Sequence, residues 1–318
     1  MVNCNESSPK YFLLQGLSDD PQLQRFIFFS FLAIYLLTLV GNAAILTTIK
    51  LSVNLSTPMY YFVSHLSFLD MCYTTVTIPN MLENLLLGSR VISYSACFVQ
   101  LFLFISFGQS ESFLLAVMAF DRYAAICLPL RYMDIITHRI CLQLVVSTWL
   151  ASLLNATLHT SLASRLSYCS SHEISHFFCD ITPLLKISCE STLINEIVIY
   201  VAGVFVVLMP FLCILLSYVH IIIAILMIPS STGRQKTFST CSSHLVVVCM
   251  FYGTIILMYM RPASHSQEHD KVFAVIYTFI TPLLNPFIYG VKNREIKESF
   301  KRIFRKDNCN LGSRCISC

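Results

Sequence analysis

Three groups of residues in this chain have types and spacings that could do chemistry. Asp121, Arg122 and Tyr123 stand in a row at the end of a long apolar run. Charges in that position are costly unless they pair, reach water or work, so the cluster reads as functional. Asp70 and Glu111 are single carboxylates embedded in apolar sequence. The stretch His172-Glu173-Ile174-Ser175-His176 matches the HExxH pattern, in which two histidines on one helix face hold zinc and the glutamate acts as a base.

The elements that position these groups are membrane spans. The chain has 318 residues, of which 56% are hydrophobic and 12% charged, about half the charged fraction of a soluble domain. Apolar runs of about 20 residues or more, enough to cross a bilayer, occur at 26–49, 59–87, 97–127, 140–162, 196–228, 238–260 and 272–291. The expected fold is an all-α membrane protein, a bundle of seven transmembrane helices. It comprises a tail over 1–25, the bundle over 26–291, and a C-terminal segment over 292–318. The first run is too long for a cleaved signal and reads as a signal anchor. Pro79, Pro210, Pro282 and Pro286 fall within spans, where neighbouring helices must satisfy the freed carbonyls. A net charge of +4 does not point to nucleic acid. The basic residues gather late, from Lys292 to Lys306, as in a segment lying on anionic membrane lipid.

Seven spans put the termini on opposite sides. With the N-terminus outside, 14 of the 21 basic residues face the cytosol, the orientation that the positive-inside rule favours. Asn5 is then an extracellular glycosylation acceptor, in Asn5-Glu6-Ser7. Cys97, Cys169, Cys179 and Cys189 share the outer side, and their three possible pairings stay open on sequence alone.

On the third span, Phe104, Gly108, Glu111, Leu115, Met118 and Arg122 recur at helical spacing and share one face. Asp70 lies roughly 18 Å in from one side and Glu111 roughly 21 Å in from the other, so both sit near mid-depth. Two unpaired carboxylates in hydrocarbon are implausible. The pair reads either as a satisfied polar network that fixes packing or as an ion site, with Na+ as the cation. Asn155 and His159, four apart on the fourth span, suit an interhelical hydrogen bond. Tyr252, Tyr259 and Thr278 either place hydroxyls in an apolar pocket or pack the core. The HExxH match lies in a loop between cysteines, where a regular helix is not expected, so no metal and no enzyme activity are assigned to it. Cys309, Cys315 and Cys318 are read as free cytosolic thiols, with reversible acylation as the alternative.

Motifs along nearly the whole chain, from about Leu13 to Arg305, carry a family resemblance. They are Gly41-Asn42; Pro58-Met59-Tyr60-Tyr61-Phe62 through Leu66-Ser67-Phe68-Leu69-Asp70; Met118 to Tyr132; Ser217-Tyr218; Lys236 to His244 with Phe251-Tyr252-Gly253; and Pro282-Leu283-Leu284-Asn285-Pro286-Phe287-Ile288-Tyr289. In this order they resemble the rhodopsin-like G-protein-coupled receptors, and within them the odorant receptors. Phe120, Ala124, Thr237, His65 and Arg131 depart from the usual residues without removing a charged switch position.

The resemblance implies disulfides Cys97–Cys179 and Cys169–Cys189. It implies a switch at Asp121, Arg122 and Tyr123 with Tyr218, His244, Asn285, Pro286 and Tyr289, facing a heterotrimeric G protein of the stimulatory olfactory type that raises cAMP. It implies a ligand pocket of Phe104, Ile105, Gly108, Gln109, Ala202, Val206, Ile255, Ile256 and Tyr259. Phe104 stands where amine receptors carry an aspartate, so a small, mainly apolar odorant is expected rather than a cation. The resemblance also implies a short amphipathic helix over 292–306, after the seventh span, and a location in the plasma membrane.

Overall fold

The structure is a computed structural model that describes residues 10–18, 20–168, 172–259 and 267–303, without the side chains of Lys236, Ser239, Thr240, Tyr259 and 267–270. Local signals start and stop its helices. Helix α1 (Pro21–Leu51) opens on Pro21, with Asp20 accepting the Gln22 amide at 2.9 Å, the usual cap for the first unpaired donors. Helix α2 (Pro58–Leu87) also opens on a proline and stops at Gly88, whose φ of 65° is left-handed. Helix α3 (Tyr94–Cys127) is capped by Ser93 and α4 (His138–Ser164) by Thr137. Helices α5 (Leu193–Leu226), α6 (Ser231–Tyr259) and α7 (Lys271–Val291) complete a seven-helix bundle.

Each expected span overlaps one of these helices; the fifth, 196–228, runs two residues past the end of α5, and the last residue of the sixth, 238–260, lies outside the described residues. Six contain windows apolar enough to cross a membrane by composition. The exception is α2, which turns Ser67, Asp70, Thr74 and Thr77 into the bundle. Large apolar side chains such as Phe26, Phe29, Leu150, Leu154 and Leu226 remain exposed around the perimeter, the pattern of a bundle solvated by lipid. Helix α3 runs through the middle and packs against α2, α4 and α5.

The prolines show how the bundle replaces lost backbone bonds. Pro286 has no N–H for the Pro282 carbonyl four residues earlier. The Asn42 amide of α1 donates to that carbonyl at 3.2 Å. Gly41 lets α1 approach, because a Cβ there would come within 2.9 Å of the Pro286 ring. Pro210 likewise leaves the Val206 carbonyl without its helical donor, and Ser112 of α3 donates to it at 2.6 Å. Wide π turns lie over Val204–Leu208 and Ile276–Ile280, just before Pro210 and Pro282.

One end of the bundle carries a small sheet that hydropathy does not anticipate. Strand β1 (Tyr11–Leu14) lies between β2 (Val91–Ser93) and β3 (Glu173–Ile174), antiparallel to the first and parallel to the second. Phe12 and Leu14 are buried beneath it. At the opposite end a helix over 294–303 buries Ile296 against Leu55 and Tyr60, and exposes Lys297, Lys301 and Arg302. The Tyr60 hydroxyl donates to Glu295 at 2.7 Å. Asn5, Cys309, Cys315 and Cys318 lie outside the described residues.

Asn42→Leu is expected to leave the Pro282 carbonyl buried without a donor and to destabilise the bundle by about 1–3 kcal/mol. Ser217→Ala removes only a bond within α5 and is expected to change stability by less than about 0.5 kcal/mol. Thermal unfolding of both purified variants in one detergent checks the contrast.

Candidate functional site

The site is built on one face of α3. Phe104, Glu111, Leu115, Met118 and Arg122 are all buried on it. Near the sheet end, a cavity of about 150 Å³ opens beside Phe104, Ile105, Gly108 and Gln109. Ala202 and Val206 close it from α5 and Ile255 from α6. These are residues that sequence reasoning assigned to a pocket. The wall also contains Ser112, His159, Asp180, Ile181, Ile199 and Tyr277, which it did not.

Tyr252, Ile256 and Thr278 are not part of this wall. The Tyr252 hydroxyl lies behind it, 2.9 Å from the Ser112 hydroxyl. Ile256 packs against the main core, and Thr278 is fully buried. The π turn at Ile276–Ile280 shifts the helical register, and Tyr277 lines the cavity where Thr278 was expected. The Tyr259 side chain lies outside the description.

A covalent link holds the lid. Cys97 and Cys179 form a disulfide with Cα atoms 5.5 Å apart. Gln100 locks the same junction: its Oε1 accepts the Cys179 amide and its Nε2 donates to the Val76 carbonyl, both at 2.9 Å. Phe178 is thereby set on Phe104, with ring centroids 4.5 Å apart. Asp180 is brought into the cavity wall, where it caps the short helix Ile181–Lys186 by accepting the Ile181 amide at 2.7 Å. The resemblance implies the disulfide that fixes the path of this loop, but the sequence reading did not carry it one residue further to Asp180. Cys189 is also disulfide-bonded; its expected partner, Cys169, lies outside the described residues.

The HExxH residues form no helix. Glu173 and Ile174 belong to β3, and the His172 carbonyl accepts the Leu13 amide at 2.7 Å. His176 is buried between Phe177 and Phe178, at centroid distances of 4.6 and 4.4 Å. Among the described residues, no cluster of His, Cys, Asp or Glu could hold a metal ion.

At mid-depth, Asn285 donates to both carboxylate oxygens of Asp70 at 3.0 Å. Asp70 and Glu111 are close enough for their charges to interact. The Glu111 Oε1 and Asn285 Oδ1 atoms are buried without hydrogen-bond partners. Below them, Tyr218 and His244 share a hydrogen bond of 2.8 Å, and the Tyr289 hydroxyl is buried without a partner. Asp121 accepts the Tyr132 hydroxyl at 2.8 Å. Arg122 and Tyr289 line a cavity of about 610 Å³ that opens at this end, with Lys292, Asn293 and Glu295 across from them. Tyr123 points elsewhere, its ring 5.7 Å from that of His220 on α5. Pro286 acts through the carbonyl that it frees.

The geometry is therefore a lidded apolar cavity joined by a polar mid-section to a buried arginine above an open crevice. The olfactory receptor family model matches residues 31–307. The chain belongs to the olfactory receptor family. Human olfactory receptor 1F1 is 47% identical over 304 residues, 95% of this chain and 97% of that protein. Rat olfactory receptor 1f45 is 47% identical over the same shares. Mouse olfactory receptor 5AP2 is 49% identical over 302 residues, 95% of each chain. Odorant ligands and G-protein coupling in general follow for this receptor, and it is not an enzyme.

Burial, and then the charge of Lys271, hold the His176 imidazole down at about 3, against an ordinary value of 6.5. Between these values the unfolded chain binds the proton that the folded lid refuses. The His176 contribution to stability is therefore complete above about pH 6.5 and is lost as pH falls toward 3. His176→Phe is expected to flatten the loss of thermal stability between pH 7 and pH 5. Unfolding midpoints across that range check it.

Proposed function

We propose that this olfactory receptor binds small, mainly apolar volatile molecules in the cavity beneath Phe178 and activates a stimulatory olfactory-type Gα, raising cAMP. The observation that carries the reading is an apolar cavity and a buried arginine on one face of the same helix. An apolar cavity of about 150 Å³ holds a benzene-sized molecule and is smaller than the roughly 300–1,000 Å³ of sites for drug-sized ligands. Gln109 lines this cavity and its Oε1 has no partner, so it is the natural contact for one polar group on the ligand. The ligand shifts the receptor only by its differential affinity for the two states. In the active state, Tyr218, His244 and Tyr289 rearrange about Arg122 and the Gα C-terminal helix enters the crevice.

Several further assignments go with this reading. The N-terminus is extracellular and the C-terminus cytoplasmic, on the excess of basic residues at the Arg122 end. Asn5 carries a glycan, Cys169 pairs with Cys189, and the receptor works at the plasma membrane, with the basic helix over 294–303 resting on lipid. Na+ suits the mid-section: Asp70 and Glu111 offer charge, and two buried oxygens there lack donors.

A Cβ at Gly108 would meet Tyr277 and Tyr73 at ordinary contact distances of 3.6 Å. Gly108→Ala is therefore expected to fold and respond, whereas Gly108→Leu fills the cavity and raises the half-maximal odorant concentration at least about tenfold, worth about 1.4 kcal/mol. Dose–response curves at matched surface expression check this.

Arg122→Ala is expected to abolish odorant-evoked cAMP while the receptor still reaches the cell surface. A full cAMP response from that variant would remove Arg122 from the mechanism.

A further inference from the structure

A groove of about 1010 Å³ lies between α1, α2 and α4 at the Arg122 end. Neither the ligand cavity nor the crevice beside Arg122 uses it. Its deep wall is apolar, made by Leu46, Phe68 and Trp149. Its rim carries Lys50 and His138, both exposed, with His65 and the hydroxyls of Ser56 and Thr57. No aspartate or glutamate lines it. Of the two segments beside the rim, 50–57 contains no acid, and 131–139 sets Arg131 and Arg139 against Asp134. Helices α2 and α4 both begin here, so the positive ends of their backbone dipoles add to the same field.

The depth identifies the occupant. Phe68 lies ten residues beyond Pro58, and Trp149 eleven beyond His138. At 1.5 Å per residue the groove extends about 15 Å in from the helix starts. That is half of a hydrocarbon core about 30 Å thick, the depth of one leaflet. A soluble peptide would have to enter hydrocarbon to fill it. A sterol would offer the positive rim one neutral hydroxyl and no charge.

We propose that this groove binds an anionic glycerophospholipid of the adjacent leaflet. One acyl chain lies against Leu46, Phe68 and Trp149, and the headgroup phosphate meets Lys50 and His138. Binding here is additional to the resting of the C-terminal helix on lipid, and it does not depend on which odorant the cavity takes.

The chain has one tryptophan, and it is in the groove, so its fluorescence reports occupancy directly. The test uses the purified receptor in nanodiscs of phosphatidylcholine, with brominated phosphatidylserine or brominated phosphatidylcholine added at equal low fractions. The serine lipid is expected to quench Trp149 at about fivefold lower fraction, the size expected from one lysine near a membrane surface. High salt should narrow that difference in the unsubstituted receptor. Lys50→Gln combined with His138→Gln should abolish it while leaving quenching by phosphatidylcholine unchanged. Equal quenching by the two lipids in the unsubstituted receptor overturns the proposal, as does a preference that persists in the double variant. A brominated sterol quenching at lower fraction than either would give the groove to a sterol instead.

Discussion

A carbonyl that loses its donor inside a bilayer has no water to turn to. Much of this receptor is arranged around that constraint. Prolines break α5 and α7, and each break exposes a carbonyl that a polar side chain on another helix answers. Asn42 answers Pro282, and Ser112 answers Val206. These bonds cannot form within one helix, so they fix which helices are neighbours and at what rotation. Ser112 is also in the cavity wall and bonds the Tyr252 hydroxyl. The repair of the α5 backbone and the shape of the ligand cavity are thus parts of one contact between α3, α5 and α6.

The same helix α3 connects the two ends functionally. Its buried face carries Phe104 under the lid, Glu111 at mid-depth and Arg122 above the crevice. The mid-section holds polar atoms that lack partners, among them Glu111 Oε1 and Asn285 Oδ1. Such atoms occur toward the ends too, with Gln109 Oε1 and both His176 ring nitrogens near the lid, beside bonded groups such as Asp121 with Tyr132 and Gln100 on both sides. Unsatisfied polar groups in low dielectric are where a second arrangement costs least to reach. The incompletely bonded middle of the bundle is suited to switching.

Sequence periodicity made the spans and the α3 face legible, because membrane length and helical repeat are properties of local sequence. Phe104 and Gly108 follow from that repeat once the helix is placed, and Gln109 from the family resemblance. His159 and Asp180 did not follow. His159 was read as an interhelical bond partner, and Asp180 enters the wall beside Cys179, which is tied to Cys97. Tyr277 was missed for a different reason: a π turn adds a residue to the helical repeat, which no 3.6-residue reading can register. The sheet was invisible to hydropathy because each of its strands has four residues or fewer.

That sheet also has a consequence for how the molecule is made. Its central strand, Tyr11–Leu14, is near the start of the chain, yet Leu13 pairs with Glu173 and Phe12 with Ile92. The ribosome delivers β1 long before either partner. Until four helices and the loop that carries β3 have been made, the sheet that buries Phe12 and Leu14 is incomplete. This early segment is among the last to be seated, and the interval in between is one that the cell's folding machinery has to cover.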